Sequence, residues 1–115
     1  MVWSATPEVH GGVLILALTG ELDLAVVDEL TGALEEAFER GTHGLVVDMI
    51  GVSFCDSSCL HALLRIARRT QAAERGFGLV AVSPAIVRPV TVLNLTQALP
   101  ISASVNEAVA HVRRR

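Results

Sequence analysis

Thiol, carboxylate, hydroxyl and imidazole groups crowd into one short stretch, Cys55-Asp56-Ser57-Ser58-Cys59-Leu60-His61. Three chemistries compete for it. A metal site built on Cys55, Cys59 and His61 would want more ligands at better spacing, and no second Cys/His pair exists in the chain. A Cys–His nucleophile can be drawn, but no recognisable local signature surrounds it. The ordinary reading of both cysteines is therefore small apolar residues packed in a core. The third chemistry is a serine hydroxyl at a helix start that accepts a phosphate. Elsewhere, Gly11-Gly12, Gly76 and Gly78 make no phosphate-binding loop. No catalytic constellation, metal site or cofactor site stands out, so the chain is expected not to be an enzyme.

Asp56-Ser57-Ser58 lies where a helix should begin, because Leu60, Leu63, Leu64 and Ala67 follow at helical spacing. Asp or Ser there is an ordinary N-cap worth ~1 kcal/mol. A phosphate on Ser57 would add roughly -1.5 to -2 charges at neutral pH. The positive end of the helix would welcome that charge and Asp56 would repel it. The domain itself would change little. Its surface potential would change greatly, and a partner docked there would be expelled. Capping and switching can thus coexist at one junction. Ser57, His61, Arg65 and Arg68 are spaced by four, four and three, so they share a helix face. That face is either a solvated stripe or part of a docking surface with His61 close enough to sense a phosphate on Ser57.

The elements that must position this junction follow from periodicity and punctuation. Leu45 to Val47 reads as a buried strand ending at Asp48, and Gly51 to Phe54 as an apolar loop. Upstream, Val2 to Val9 is a weak strand, Gly11-Gly12 a tight hairpin turn, and Val13 to Thr19 a strand buried on both faces. Gly20 to Asp23 breaks the pattern. Asp23 is placed to cap a helix whose stripe is Val27, Leu30, Leu34 and Phe38, with Gly41 to stop it. If the strands are adjacent, Thr19 to Asp23 ends beside the Ser57 helix start. Downstream, Gly76 ends the second helix and Leu79 to Val82 is a buried strand. Ser83-Pro84 opens a third helix that Pro89 should kink or split, and Asn94 could close it. Leu99 to Ser102 is a short edge strand. A last helix covers about Ser104 to Val112, and residues 113–115 form a frayed basic tail. The order implies a mixed, partly parallel sheet.

Bulk properties narrow the class. A chain of 115 residues makes one domain, 1–115, and 51% apolar with 3% aromatic content means an aliphatic core. The net charge of -3 argues against direct nucleic-acid binding. Two close cysteines make no disulfide framework. The apolar run Val13 to Leu18 is far short of the ~20 residues that span a bilayer. No N-terminal targeting pattern follows Met1. The expectation is a cytoplasmic protein without membrane insertion.

Three motifs, Thr19-Gly20-Glu21-Leu22-Asp23, then Val46-Val47-Asp48 leading into Gly51 to Ser58, then Ser83-Pro84-Ala85, resemble the STAS domain. More narrowly they resemble the bacterial anti-sigma factor antagonists. The resemblance covers nearly the whole chain. It implies an α/β domain with a mixed four- to five-stranded sheet and about four helices packed largely on one side. It also implies partner switching. The unphosphorylated antagonist would bind an anti-sigma factor serine kinase and free a sigma factor. Phosphorylation of Ser57 would end that binding, and a serine phosphatase would reverse it. Asp23, Asp56 and Ser58 match positions near the family's docking surface, and a weak homodimer is compatible with the pattern. The alternative is a STAS interaction subunit of a lipid-transport ABC complex or signalling assembly, indifferent to Ser57 phosphorylation. Cys59 stands where the family commonly has glycine, so its side chain is expected to narrow the approach to Ser57.

Overall fold

The computed structural model describes residues 3–114. Strands β1 (Ser4–His10) and β2 (Val13–Leu22) meet through Gly11 and Gly12, with φ of 57° and 83°. Two successive positive-φ residues make the hairpin turn whose twist suits an antiparallel pair. The ladder runs from His10↔Val13 to Ser4↔Thr19. The chain then alternates: α1 (Val27–Arg40), β3 (Gly44–Cys55), α2 (Ser57–Ala72), β4 (Gly76–Val80), α3 (Pro84–Val92), β5 (Ile101–Ser102) and α4 (Val105–Arg113). Among the described residues, five strands lie in the order β1-β2-β3-β4-β5, with β2 to β5 parallel. This is the expected α/β fold with a mixed sheet.

Side-chain alternation on β3 sorts the core into two layers. Leu45, Val47 and Met49 face the large aliphatic cluster that α1, α2 and α3 fill with Leu30, Leu34, Leu63, Ile66, Ile86 and Val90. Val46 faces the other way and packs with Val13, Val80, Ala108 and Val112 under α4. Three of the four described helices therefore share one face. Helix α4 sits close because Gly44 and Gly76 lack side chains. A Cβ on Gly76 would lie 2.8 Å from the Val112 carbonyl oxygen, and one on Gly44 would run into the Val112 side chain. Since α4 covers part of the sheet, Ile15 and Ala17 are only half-buried and Thr19 is exposed, so β2 is not buried on both faces. No described helix is long and apolar enough to cross a membrane.

Several boundaries differ from the expectations. The apolar loop expected at Gly51 to Phe54 is strand, and β3 continues to Cys55 by pairing with β2 through Leu22↔Cys55. Register shifts between Ala17 and Thr19, and between Gly20 and Glu21, break the two-residue alternation that marks a strand. Past Asp48, β3 has β2 alone as a partner, since β4 pairs only with Gly44–Asp48. Asp23 caps a 3₁₀ turn, Leu24–Val26, rather than α1 itself. Helix α2 ends at Ala72, before Gly76, because Glu74 takes the left-handed conformation (φ 61°); Gly76 instead opens β4. That strand stops at Val80, leaving Val82 exposed.

Ser83 caps α3 and Pro84 starts it, as expected, yet Pro89 does not split the helix. The donor that proline lacks would have served the Ala85 carbonyl in the first turn, where the residue is exposed and water can take over. Asn94 closes the segment at φ 59°. Arg113 is not frayed. It is the last residue of α4, and its guanidinium donates to the His10 carbonyl at 2.9 Å. Val2, in the expected first strand, and Arg115, in the expected tail, lie outside the described residues.

Candidate functional site

The site is a junction of two strand ends and one helix start. Leu22 and Cys55 are register partners at the end of the β2–β3 ladder, so Asp23 and Asp56 leave the sheet side by side. The Asp56 amide donates to the Leu22 carbonyl at 3.0 Å, and the Asp56 carbonyl accepts from the Leu60 amide at 3.0 Å. Asp56 has extended backbone (φ -83°, ψ 177°), as an N-cap residue must. Its Oδ1 accepts from the Ser58 hydroxyl at 2.6 Å and from the Cys59 amide at 3.1 Å. These bonds, the Ser58 hydroxyl foremost and the Cys59 N–H next, hold the Asp56 carboxyl below the usual carboxylate range. It is a carboxylate at neutral pH.

The two serines are thereby made different. The Ser58 hydroxyl is half-buried and committed to Asp56. Ser57 is the first residue of α2 and is exposed, and among the described residues its hydroxyl has no hydrogen-bond partner. The free hydroxyl lies in the first turn of α2, where unpaired backbone N–H groups and the helix dipole favour negative charge.

Asp23 closes the other side. Its Oδ1 accepts from the Ala25 amide at 3.0 Å, and its carbonyl accepts from the Val26 amide at 3.1 Å. The same carbonyl accepts from the Cys59 thiol at 3.4 Å. Cys59 is 0% exposed, so its side chain does not narrow the approach to Ser57. It turns inward and ties the 3₁₀ turn to the first turn of α2. Burial, then the negative Asp56, pushes the Cys59 thiol up to about 11. Burial, then Cys59 and Asp56, pushes Cys55 up to about 12. A thiol so shifted supplies little thiolate at neutral pH, which is poor ground for a nucleophile.

Asp23, Asp56 and Ser58 are thus brought into one hydrogen-bonded junction around Ser57. His61 is exposed one turn further along α2 and makes no bond into that junction. Two neighbours are not identified from sequence: Leu24, 72% exposed beside Asp23, and Phe54, 48% exposed two residues before Asp56. The spacing of Leu24 from Val27 imitates another core position, but the 3₁₀ turn rotates it outward. Phe54 lies beyond the register shifts, where alternation no longer reports the buried face.

The model of the STAS domain family matches residues 4–108, and the chain belongs to that family. The anti-sigma-F factor antagonist RsfB of Mycobacterium tuberculosis is 28% identical over 104 residues, covering 90% of this chain and 84% of its own. The crystal structure of an anti-sigma factor antagonist from Mycobacterium paratuberculosis superimposes with a TM-score of 0.89 at 28% identity, over 97% of this chain and 95% of that one. The unphosphorylated anti-sigma factor antagonist SpoIIAA superimposes with a TM-score of 0.69 at 25% identity, over 96% and 98% of the two chains.

Proposed function

We propose that this chain is an anti-sigma factor antagonist that binds an anti-sigma factor serine kinase while Ser57 is a free hydroxyl and releases it once Ser57 is phosphorylated. The observation that carries this reading is the division of labour between the serines: Asp56 occupies the Ser58 hydroxyl and leaves Ser57 open. The names of the similar proteins, anti-sigma factor antagonists, support it.

The switch works by charge at a docked surface. The partner rests on Asp23, Leu24, Phe54, Ser57 and Ser58, with Leu24 and Phe54 as apolar contacts and His61 at the margin. Phosphorylation places roughly two negative charges beside the Asp56 carboxylate, within one turn of the helix start. The helix end tolerates them, so the fold is kept. The partner loses its fit, both by the bulk of the phosphate and by the charge it must now face. ATP belongs to the kinase and the reversing step to a serine phosphatase, so this chain acts as binder and substrate rather than as enzyme.

The direct test incubates the protein with serine kinases of the anti-sigma class and Mg·ATP, then maps the product by mass spectrometry. Phosphate on Ser57, absent from Ser57→Ala, is expected. Ser57→Ala should keep its affinity for the kinase and Ser57→Asp should lose at least about tenfold. Modification at another residue overturns the assignment. Binding that ignores Ser57→Asp would identify a constitutive interaction subunit instead.

A further inference from the structure

We propose that the exposed face of α2 bearing His61, Arg65 and Arg68 receives an acidic face of the anti-sigma factor, as the electrostatic half of the docking surface. This rests on the reading of Ser57 as the switched hydroxyl, and it names the chemistry of the partner surface beside it.

From Ser57 to Ala72 the helix carries no acidic residue. Its basic residues fall into two groups. Arg69 is taken up by α1: it pairs with Glu35, lies 3.7 Å from Glu39, and stacks on the Phe38 ring at 4.4 Å from the centroid. His61, Arg65 and Arg68 are exposed, and among the described residues none of them pairs with a carboxylate. At about 100° and 1.5 Å per residue, Ser57, His61, Arg65 and Arg68 fall within a wedge of about 80° and a length of about 16 Å. Arg65 and Arg68 thus place two unpaired positive charges side by side on a chain whose net charge is -3.

The sign of the switch points the same way as the sign of the row. Ser57 stands at the head of the row. Phosphate there works by bulk against any partner, and by charge as well against one whose facing surface is acidic. A basic face would be drawn toward the phosphate, so that charge would work against the release that bulk produces. An acidic face is attracted by Arg65 and Arg68 before modification and repelled at Ser57 after it, so one geometry supplies both steering and release.

The experiment measures association between the chain and the serine kinase that modifies Ser57, at about 50 and 500 mM NaCl. The wild-type association rate is expected to fall roughly tenfold across that range. Arg65→Glu/Arg68→Glu should cut the rate roughly tenfold at low salt and remove most of the salt dependence. Glu36→Lys on α1 should stay within about twofold of wild type. Circular dichroism of each variant confirms the fold. A doubly reversed variant that associates as fast as wild type overturns the proposal. If no such kinase modifies Ser57, that reading fails by itself and the face is tested alone. An NMR titration with a poly-glutamate peptide should then shift His61, Arg65 and Arg68 selectively. Shifts that are absent, or spread evenly over the surface, overturn it.

Discussion

Two adjacent serines begin α2, and the carboxylate before them decides what each can do. Ser58 donates to Asp56, while Ser57 faces solvent. Because the folded Asp56 titrates below its ordinary value near 3.9, its bonds support the fold above that pH. The support is lost as pH falls through the depressed folded value. An acid titration followed by circular dichroism should therefore show a flatter acid limb in Asp56→Asn, which can still cap but does not titrate there. Cys59→Ala removes a buried thiol and its bond to the Asp23 carbonyl, and urea unfolding should register a loss of about 1–2 kcal/mol. The sequence makes Ser57 legible as a helix-start hydroxyl because residue type and spacing suffice for that. Burial of Cys59 is legible as a small apolar residue in the core, but its bond to the Asp23 carbonyl is not, since that acceptor lies thirty-six positions away in the chain.

Helices and strands were legible to different degrees for a physical reason. The stripe Val27, Leu30, Leu34 and Phe38 persists over several turns of α1, where the last three are buried and Val27 is half-buried. Strand ends are another matter. The bulged stretch of β2 and β3 shifts register twice, so the apolar run from Gly51 to Phe54 carries no stable alternation to read. Close packing of α4 is also invisible in sequence, because a glycine at Gly76 looks like a helix stop until Val112 is seen resting on it. Gly76→Ala should cost about 1–3 kcal/mol in urea unfolding, as the added carbon meets Val112 backbone. Pro89→Ala should go the other way and stabilise by about 1–2 kcal/mol, restoring a donor to the Ala85 carbonyl in an unbroken helix.

Over the whole molecule, the sheet is thickest where five strands and both helix layers overlap and thinnest where β2 and β3 run on together. Amide exchange should follow that gradient. Leu45 to Asp48, flanked by strands on both sides, should exchange near the rate of global unfolding, and Val52 to Cys55 measurably faster. Uniform protection along β3 would contradict this. The hydroxyl at Ser57 therefore stands where a two-stranded extension of the sheet meets the first turn of α2, pinned to the core beneath it by Leu22, Val52 and Cys59. A visitor meets a supported seat there, and shortening Val52 to alanine would weaken that support from below while leaving the exposed hydroxyl untouched.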